Sequence, residues 1–275
     1  MPQSHKTAID SPDDIGPKSH SGTSGQLFAP KPPKDKNAAQ RNVSGTLRER
    51  EHMTGTNFSL NDLFDEWESA YKGNFQRDGI VDEEKFRTAP WRILFVTKEA
   101  NNILKDLRDQ GRDASTVLAS RGTHGYVYWR ALARWSYALL NGFAEFNQVE
   151  KNYAGSKALL SVALMNIKKC PGGAKALMQR IEEFAIQNVG YIIREINLIN
   201  PHIVICGGVG QLMKALINPQ ANWHYSTESI RYFYWGEIPI LNYKHPSYYG
   251  LRASELDPPL VKTTMELLLK GESQG

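Results

Sequence analysis

The chain has 275 residues, of which 41% are hydrophobic and 23% charged, with 22 Gly and 14 Pro, a globular composition that is neither collagen-like nor wholly disordered. No run approaches the roughly 18 consecutive apolar residues of a membrane span, and the opening Met1-Pro2-Gln3-Ser4-His5-Lys6 lacks the apolar core of a secretory signal, so a soluble intracellular protein without a membrane partner is expected. Cys170 and Cys206 alone cannot build a disulfide framework or a four-cysteine metal centre, and the net charge of +4 permits an anionic partner without requiring one.

Residues 1–57 are rich in Ser, Pro, Gly, Lys and Asp and show neither helical nor strand periodicity, which predicts a disordered basic and polar tail. Its second half, with Lys31, Lys34, Lys36, Arg41, Arg48 and Arg50, suits a nonspecific hold on phosphates, or no task beyond solvation. A single domain is predicted over 58–275. Ser59 reads as an N-cap, and Leu60, Leu63, Phe64, Trp67 and Tyr71 form the apolar face of a first helix. The run Ile93-Leu94-Phe95-Val96 reads as a buried strand, with the polar segment Thr97 to Asn102 following it. A helix over 131–140 follows, then a second strand, Leu160 to Asn166, stopped by Cys170-Pro171-Gly172-Gly173. From Ala174 to Asn200 an apolar stripe predicts one long helix ended by Pro201. His202 to Cys206 makes a third strand, Gln211 to Ile217 a helix, Ile238 to Asn242 a fourth strand, and Pro259 to Lys270 a last helix.

Four short apolar strands separated by helices predict an α/β fold: a four-stranded parallel sheet flanked by helices on both faces, because parallel strands need crossovers that bury both sides. Sites in such sheets lie at the carboxyl ends of the strands. There, Gly207-Gly208-Val209-Gly210 fails as a dinucleotide fingerprint, since Met213 stands where a third small residue belongs. Tight packing explains the glycines, and the amides near Gly208 at the helix start suit a DNA phosphate. His245-Pro246-Ser247-Tyr248-Tyr249 follows the last strand: His245 and Ser247 can bond phosphate, and Tyr248 and Tyr249 can wedge into a duplex or stack on bases, although a His-Pro turn is often structural. The Asn166 amide pairs donor and acceptor as the edge of a base requires, or simply forms a turn. Glu99 can orient a water, or is a surface carboxylate paired with Lys98 or Lys105.

Together these segments resemble the uracil-DNA glycosylase superfamily over roughly 92–270: Phe95-Val96-Thr97-Lys98-Glu99-Ala100 as the first motif, Leu164-Met165-Asn166-Ile167-Lys168-Lys169-Cys170-Pro171 as the base-reading strand, and His245-Pro246-Ser247 as the last motif. The Asn166 stretch and Asn200-Pro201-His202-Ile203-Val204-Ile205 are closest to the thermophile-type branch, whose iron–sulfur cysteines this chain lacks. The first motif lacks the usual Gly-x-x-Pro frame. Either Thr97 takes the motif glycine and Glu99 the water-activating place, or Glu99-Ala100 matches that branch's Glu-Ala and Asn101 falls at the proline.

The resemblance implies a monofunctional DNA glycosylase that acts on single- or double-stranded DNA as a monomer, in the bacterial cytoplasm or nucleoid, without cofactor or metal. It implies base flipping, with Tyr248 or Tyr249 filling the gap. Glu99 and His245 are the catalytic candidates: Glu99 takes a proton from the attacking water and steadies the sugar cation, and His245 donates to the base. Asn101 and Asn102 are candidates for water positioning or base contact, and Asn166 reads the base. One of His124, Tyr126, Tyr128 and Trp129 stacks on the base, with Tyr126 favoured. Ser247, Tyr248, Tyr249, Lys168 and Gly208 are the expected DNA contacts. The substrate is uracil or a remodelled pocket's modified pyrimidine, such as the glucosylated hydroxymethylcytosine of phage DNA. The alternative is a catalytically inactive DNA-binding module of the same fold.

Overall fold

A computed structural model of the chain describes residues 58–71, 73–101, 105–121, 127–173 and 176–272, so the expected tail at 1–57 lies outside the described residues. Helix α1 (Leu60–Ala70) starts where the sequence expects it: Ser59 accepts from the Asp62 amide, and the Asp62 carboxylate accepts from the Ser59 amide. The two-residue strand β1 (Gly79–Ile80) and the short helix α2 (Glu83–Thr88) precede the first long strand, β2 (Ile93–Asn101). Three helices follow, α3 (Leu107–Arg121), α4 (Val127–Leu140) and α5 (Phe146–Asn152), then a 3-10 turn (Ala158–Ser161) and strand β3 (Ala163–Gly172).

The one long helix expected between Ala174 and Asn200 is two, α6 (Met178–Gln187) and α7 (Val189–Ile199). Asn188 breaks it. Its amide nitrogen donates to the Phe184 carbonyl (2.8 Å) and its side-chain oxygen accepts from the Trp67 indole (2.8 Å), so the side chain competes for bonds the helix ladder would otherwise use. Strand β4 (Ile203–Gly207), helix α8 (Gly210–Ile217), the short strand β5 (His224–Tyr225), strands β6 (Arg231–Trp235) and β7 (Ile238–Tyr243), and helix α9 (Ala253–Glu272) complete the domain.

The sheet is mixed and has seven strands in the order β1-β3-β2-β4-β7-β6-β5, which corrects the expectation of a four-stranded parallel sheet. Its centre, β3-β2-β4-β7, is parallel, and these are the four strands legible in the sequence. Antiparallel additions make the edges: β1 on β3, and the β5-β6 pair on β7. Residues Gly236 and Glu237 form the tight link between β6 and β7, with Trp235 opposite Ile238 and Gly236 at φ 59°.

Side-chain alternation along β2 divides the core between the two faces. Ile93 and Phe95 pack with α3, α4, α5 and α9, including Leu118, Trp135 and Leu260. Leu94 and Val96 pack with α1, α6, α7 and α8, including Trp67, Ile196 and Met213. Strands β2 and β3 run past the expected ends at Val96 and Asn166, so the polar residues that follow stand on rigid strand rather than in loops.

Candidate active site

The connection that leaves β2 covers one face of the sheet and moves toward β3, whereas the connection that leaves β4 begins with α8 on the other face and moves toward β7. The carboxyl ends of β2 and β4 therefore flank a topological switch point, where a crevice opens in this class of sheet. The described parts of all four segments singled out in the sequence converge on it.

Thr97 and Asn166 are directly paired in the β2–β3 register and share the face covered by α4. The Thr97 hydroxyl donates to Asn166 Oδ1 (2.7 Å) and lies 3.2 Å from the Tyr128 hydroxyl, near the start of α4. On the other side, Asn166 Nδ2 lies 3.4 Å from Gln76 Oε1, and Gln76 Nε2 donates to the Lys105 carbonyl (2.6 Å). A backbone carbonyl only accepts, so Lys105 orients the Gln76 amide, and Gln76 orients that of Asn166. The Asn166 amide nitrogen donates to Asp78 Oδ2 (2.7 Å), which sets the main chain as firmly as the side chain. Asn166 is 3% exposed. Burial raises the Tyr128 phenol to about 12, which keeps it a neutral donor.

Glu99 and Lys168 are the next pair up the same two strands and form a close ion pair. Lys168 also donates to the carbonyls of Cys170 (2.9 Å) and Pro171 (3.4 Å). The partner of Glu99 is thus neither Lys98 nor Lys105, the latter pairing with Asp113. Gly172 passes directly over the Glu99 carboxylate, where any Cβ would collide with it.

His245 follows β7. Its Nδ1 accepts from the Ser247 amide (3.1 Å), so the neutral ring carries its proton on Nε2. Burial, and after it the charge of Lys98, pushes the imidazole from 6.5 down to about 4, so the ring is neutral at physiological pH. Its ring centroid is 5.8 Å from that of Tyr128. Gly208, at φ 76°, is exposed between His245 and Lys98. Tyr248 is 39% and Tyr249 82% exposed, and the Lys244 ammonium sits 5.0 Å from the Tyr248 ring centroid.

No protein-family model and no curated protein matches this chain. Its chemistry is therefore read from the site. Asn166, Thr97, Tyr128 and His245 form a continuous line across the strand ends. It offers a fixed amide at one end and a neutral N–H donor at the other, with an ion-paired carboxylate beside the amide. Such a line can hold a flat polar ring and donate to an oxygen on it as negative charge develops. Among the described residues no group of three His, Cys, Asp or Glu side chains is arranged to hold a metal ion.

Of the sequence candidates, Glu99, Asn166, Lys168, Gly208, His245 and Ser247 lie at these strand ends, with Tyr248 and Tyr249 on the outer rim. Asn101 ends β2 opposite Gly172, and its side chain, Asn102 and Tyr126 lie outside the described residues. Of the four aromatics weighed for stacking, Tyr128 enters the crevice. Gln76 and Asp78 have no counterpart in the sequence reading, and Lys98, expected as a partner of Glu99, lies beside His245 instead. Gln76 and Asp78 reach Asn166 across 90 and 88 positions of sequence, a proximity that no local pattern encodes.

Proposed function

We propose that the protein is a monofunctional DNA glycosylase of the kind its motifs resemble, which flips a target base out of DNA and hydrolyses its N-glycosidic bond. The observation that carries this reading is the His245 ring: Nδ1 is held by the Ser247 amide, Nε2–H is a neutral donor, and Tyr128 and Thr97 link it to the Asn166 amide. As the bond from the sugar C1′ to the base nitrogen breaks, its electron pair leaves with the base, and Nε2–H donates to the base oxygen that gains charge. A water oxygen bonds to C1′ and loses one proton, which Glu99 accepts or passes to solvent. The departing base takes up one proton. The substrate is uracil or a modified pyrimidine such as glucosylated hydroxymethylcytosine, with Asn166 reading its edge. Ser247, Tyr248, Tyr249 and the turn at Gly208 contact the DNA.

A second reading, a DNA-binding module without catalysis, is favoured by one feature. Asn166 is 3% exposed and Glu99 is paired with Lys168 beneath Gly172, so both are engaged before any DNA arrives.

The deciding experiment incubates the protein with DNAs bearing uracil, hypoxanthine, thymine, hydroxymethylcytosine and glucosylated hydroxymethylcytosine, and identifies released base by mass spectrometry. Release of one base, lowered about 100-fold or more by His245→Ala at unchanged DNA affinity, is expected. Silence across the panel with DNA binding retained favours the second reading.

A further inference from the structure

Lys98 is a cation that no ion pair among the described residues accounts for. It is only partly exposed, and it projects from β2 on the opposite face from Thr97 and Glu99. A partly desolvated ammonium at the edge of a crevice lowers the energy of negative charge that comes near it.

The geometry around Gly208 shows which site residue Lys98 stands beside. The point at which a Cβ on Gly208 would stand is 3.5 Å from Lys98 Cε, 4.0 Å from Lys98 Nζ and 3.6 Å from His245 Cβ. These are the nearest atoms to that point, so a side chain at 208 would stand against both the lysine and the histidine. Gly207 beside it is closed instead, since a Cβ there would stand 2.9 Å from Pro246 and 3.2 Å from Thr97, so the opening is at Gly208. Lys98, on β2, and His245, just past the end of β7, thus share the gap at Gly208 although they lie 147 residues apart in the chain.

We propose that Lys98 is the electrostatic partner of His245 across this gap, a positioning residue that supplies positive potential on the side where the departing base becomes an anion. The catalytic consequence rests on the glycosylase reading, whereas the coupling of the two side chains does not. Lys98 forms and breaks no bond. Its charge favours the uncharged imidazole, so that Nε2–H is donated by a neutral ring, and it lowers the energy of negative charge that builds as the glycosidic pair moves onto the base. The other groups around the ring do not take this place. Tyr128, from α4, is a neutral phenol at physiological pH, and Lys244, on the histidine's own segment, sits over the Tyr248 ring.

The test compares the full-length protein with Lys98→Met, which keeps most of the aliphatic stem, and Lys98→Arg, which keeps the charge. Three readouts are needed: the His245 titration midpoint by NMR, single-turnover release of whichever base the panel identifies, and DNA affinity over a range of salt. Lys98→Met should raise the His245 midpoint by about one pH unit. It should slow base release about 10-fold or more at unchanged affinity and salt slope, and Lys98→Arg should restore both values. An unmoved midpoint in a folded Lys98→Met protein overturns the proposal. So does a salt slope that falls by about one with release from bound DNA unchanged, which would make Lys98 a phosphate contact. A raised midpoint in a protein that releases no base upholds the coupling and overturns the glycosylase reading instead.

Discussion

Thr97 does more than its place at the end of an apolar run suggests. Its hydroxyl is the donor that saturates one lone pair of Asn166 Oδ1 in a site 3% exposed. Thr97→Val keeps the shape and removes the donor, so it should destabilise the fold by about 1–3 kcal/mol, measured by urea unfolding. It should also release the amide orientation of Asn166, broadening base preference in the release assay. His245 gives a pH prediction. Its folded pKa, about 4, lies below the ordinary 6.5, so the unfolded chain binds the proton first as pH falls. Its contribution to stability is therefore complete above 6.5 and declines between about 6.5 and about 4. His245→Gln should flatten that part of the stability–pH curve, measured by thermal unfolding.

Among the elements, α1 was legible because its start is chemical and local: Ser59 and Asp62 close a capping box, and Leu63, Phe64 and Trp67 are the buried stripe. Ser59→Ala should cost about 1 kcal/mol in chemical unfolding. The break between α6 and α7 was not legible, because the apolar stripe continues through it. What separates the helices is the Asn188 side chain, engaged at once by Phe184 and by Trp67 from a helix some 120 positions earlier. Strands β1 and β5, of two residues each, carry too little pattern to be seen, and they exist because β3 and β6 offer edges to pair with. The aromatic run Arg231-Tyr232-Phe233-Tyr234-Trp235 was present in the sequence, and its physical meaning is a strand, β6, paired between β7 and the short β5, with Phe233 buried.

At the scale of the molecule, the crevice is backed by a buried charge cluster. Lys169, fully buried, donates to both Asp78 oxygens (2.7 and 2.6 Å) and stands 2.7 Å from Glu195, with the Phe64 and Trp67 rings 5.7 and 5.2 Å away. Burial, and then the Asp78 charge, pushes the Glu195 carboxyl well above its ordinary range, which favours its neutral form beside the Asp78–Lys169 ion pair. The two substitutions should therefore differ sharply. Glu195→Gln should be close to neutral, whereas Lys169→Met, which leaves Asp78 buried without a counter-ion, should cost about 3–5 kcal/mol in equilibrium unfolding. Because Asp78 also holds the Asn166 amide, Lys169→Met should disturb the site as well as the fold.

The sequence by itself determined the four central strands, the first helix, and the placement of polar residues after apolar runs, because these depend on periodicity and caps that act within a few positions. It also brought Glu99, Asn166 and His245 to one side of the sheet, since a parallel sheet gathers successive carboxyl ends at one edge, although β2 and β3 run on past Glu99 and Asn166. The tertiary structure alone decided what each of them touches. Glu99 met Lys168 through strand register, Asn166 met Thr97 the same way and Gln76 and Asp78 across a distant loop, and His245 met Lys98 and Tyr128 across the switch point. Each of these contacts joins segments tens of residues apart, and their proximity follows from sheet order rather than from any pattern a single segment can carry.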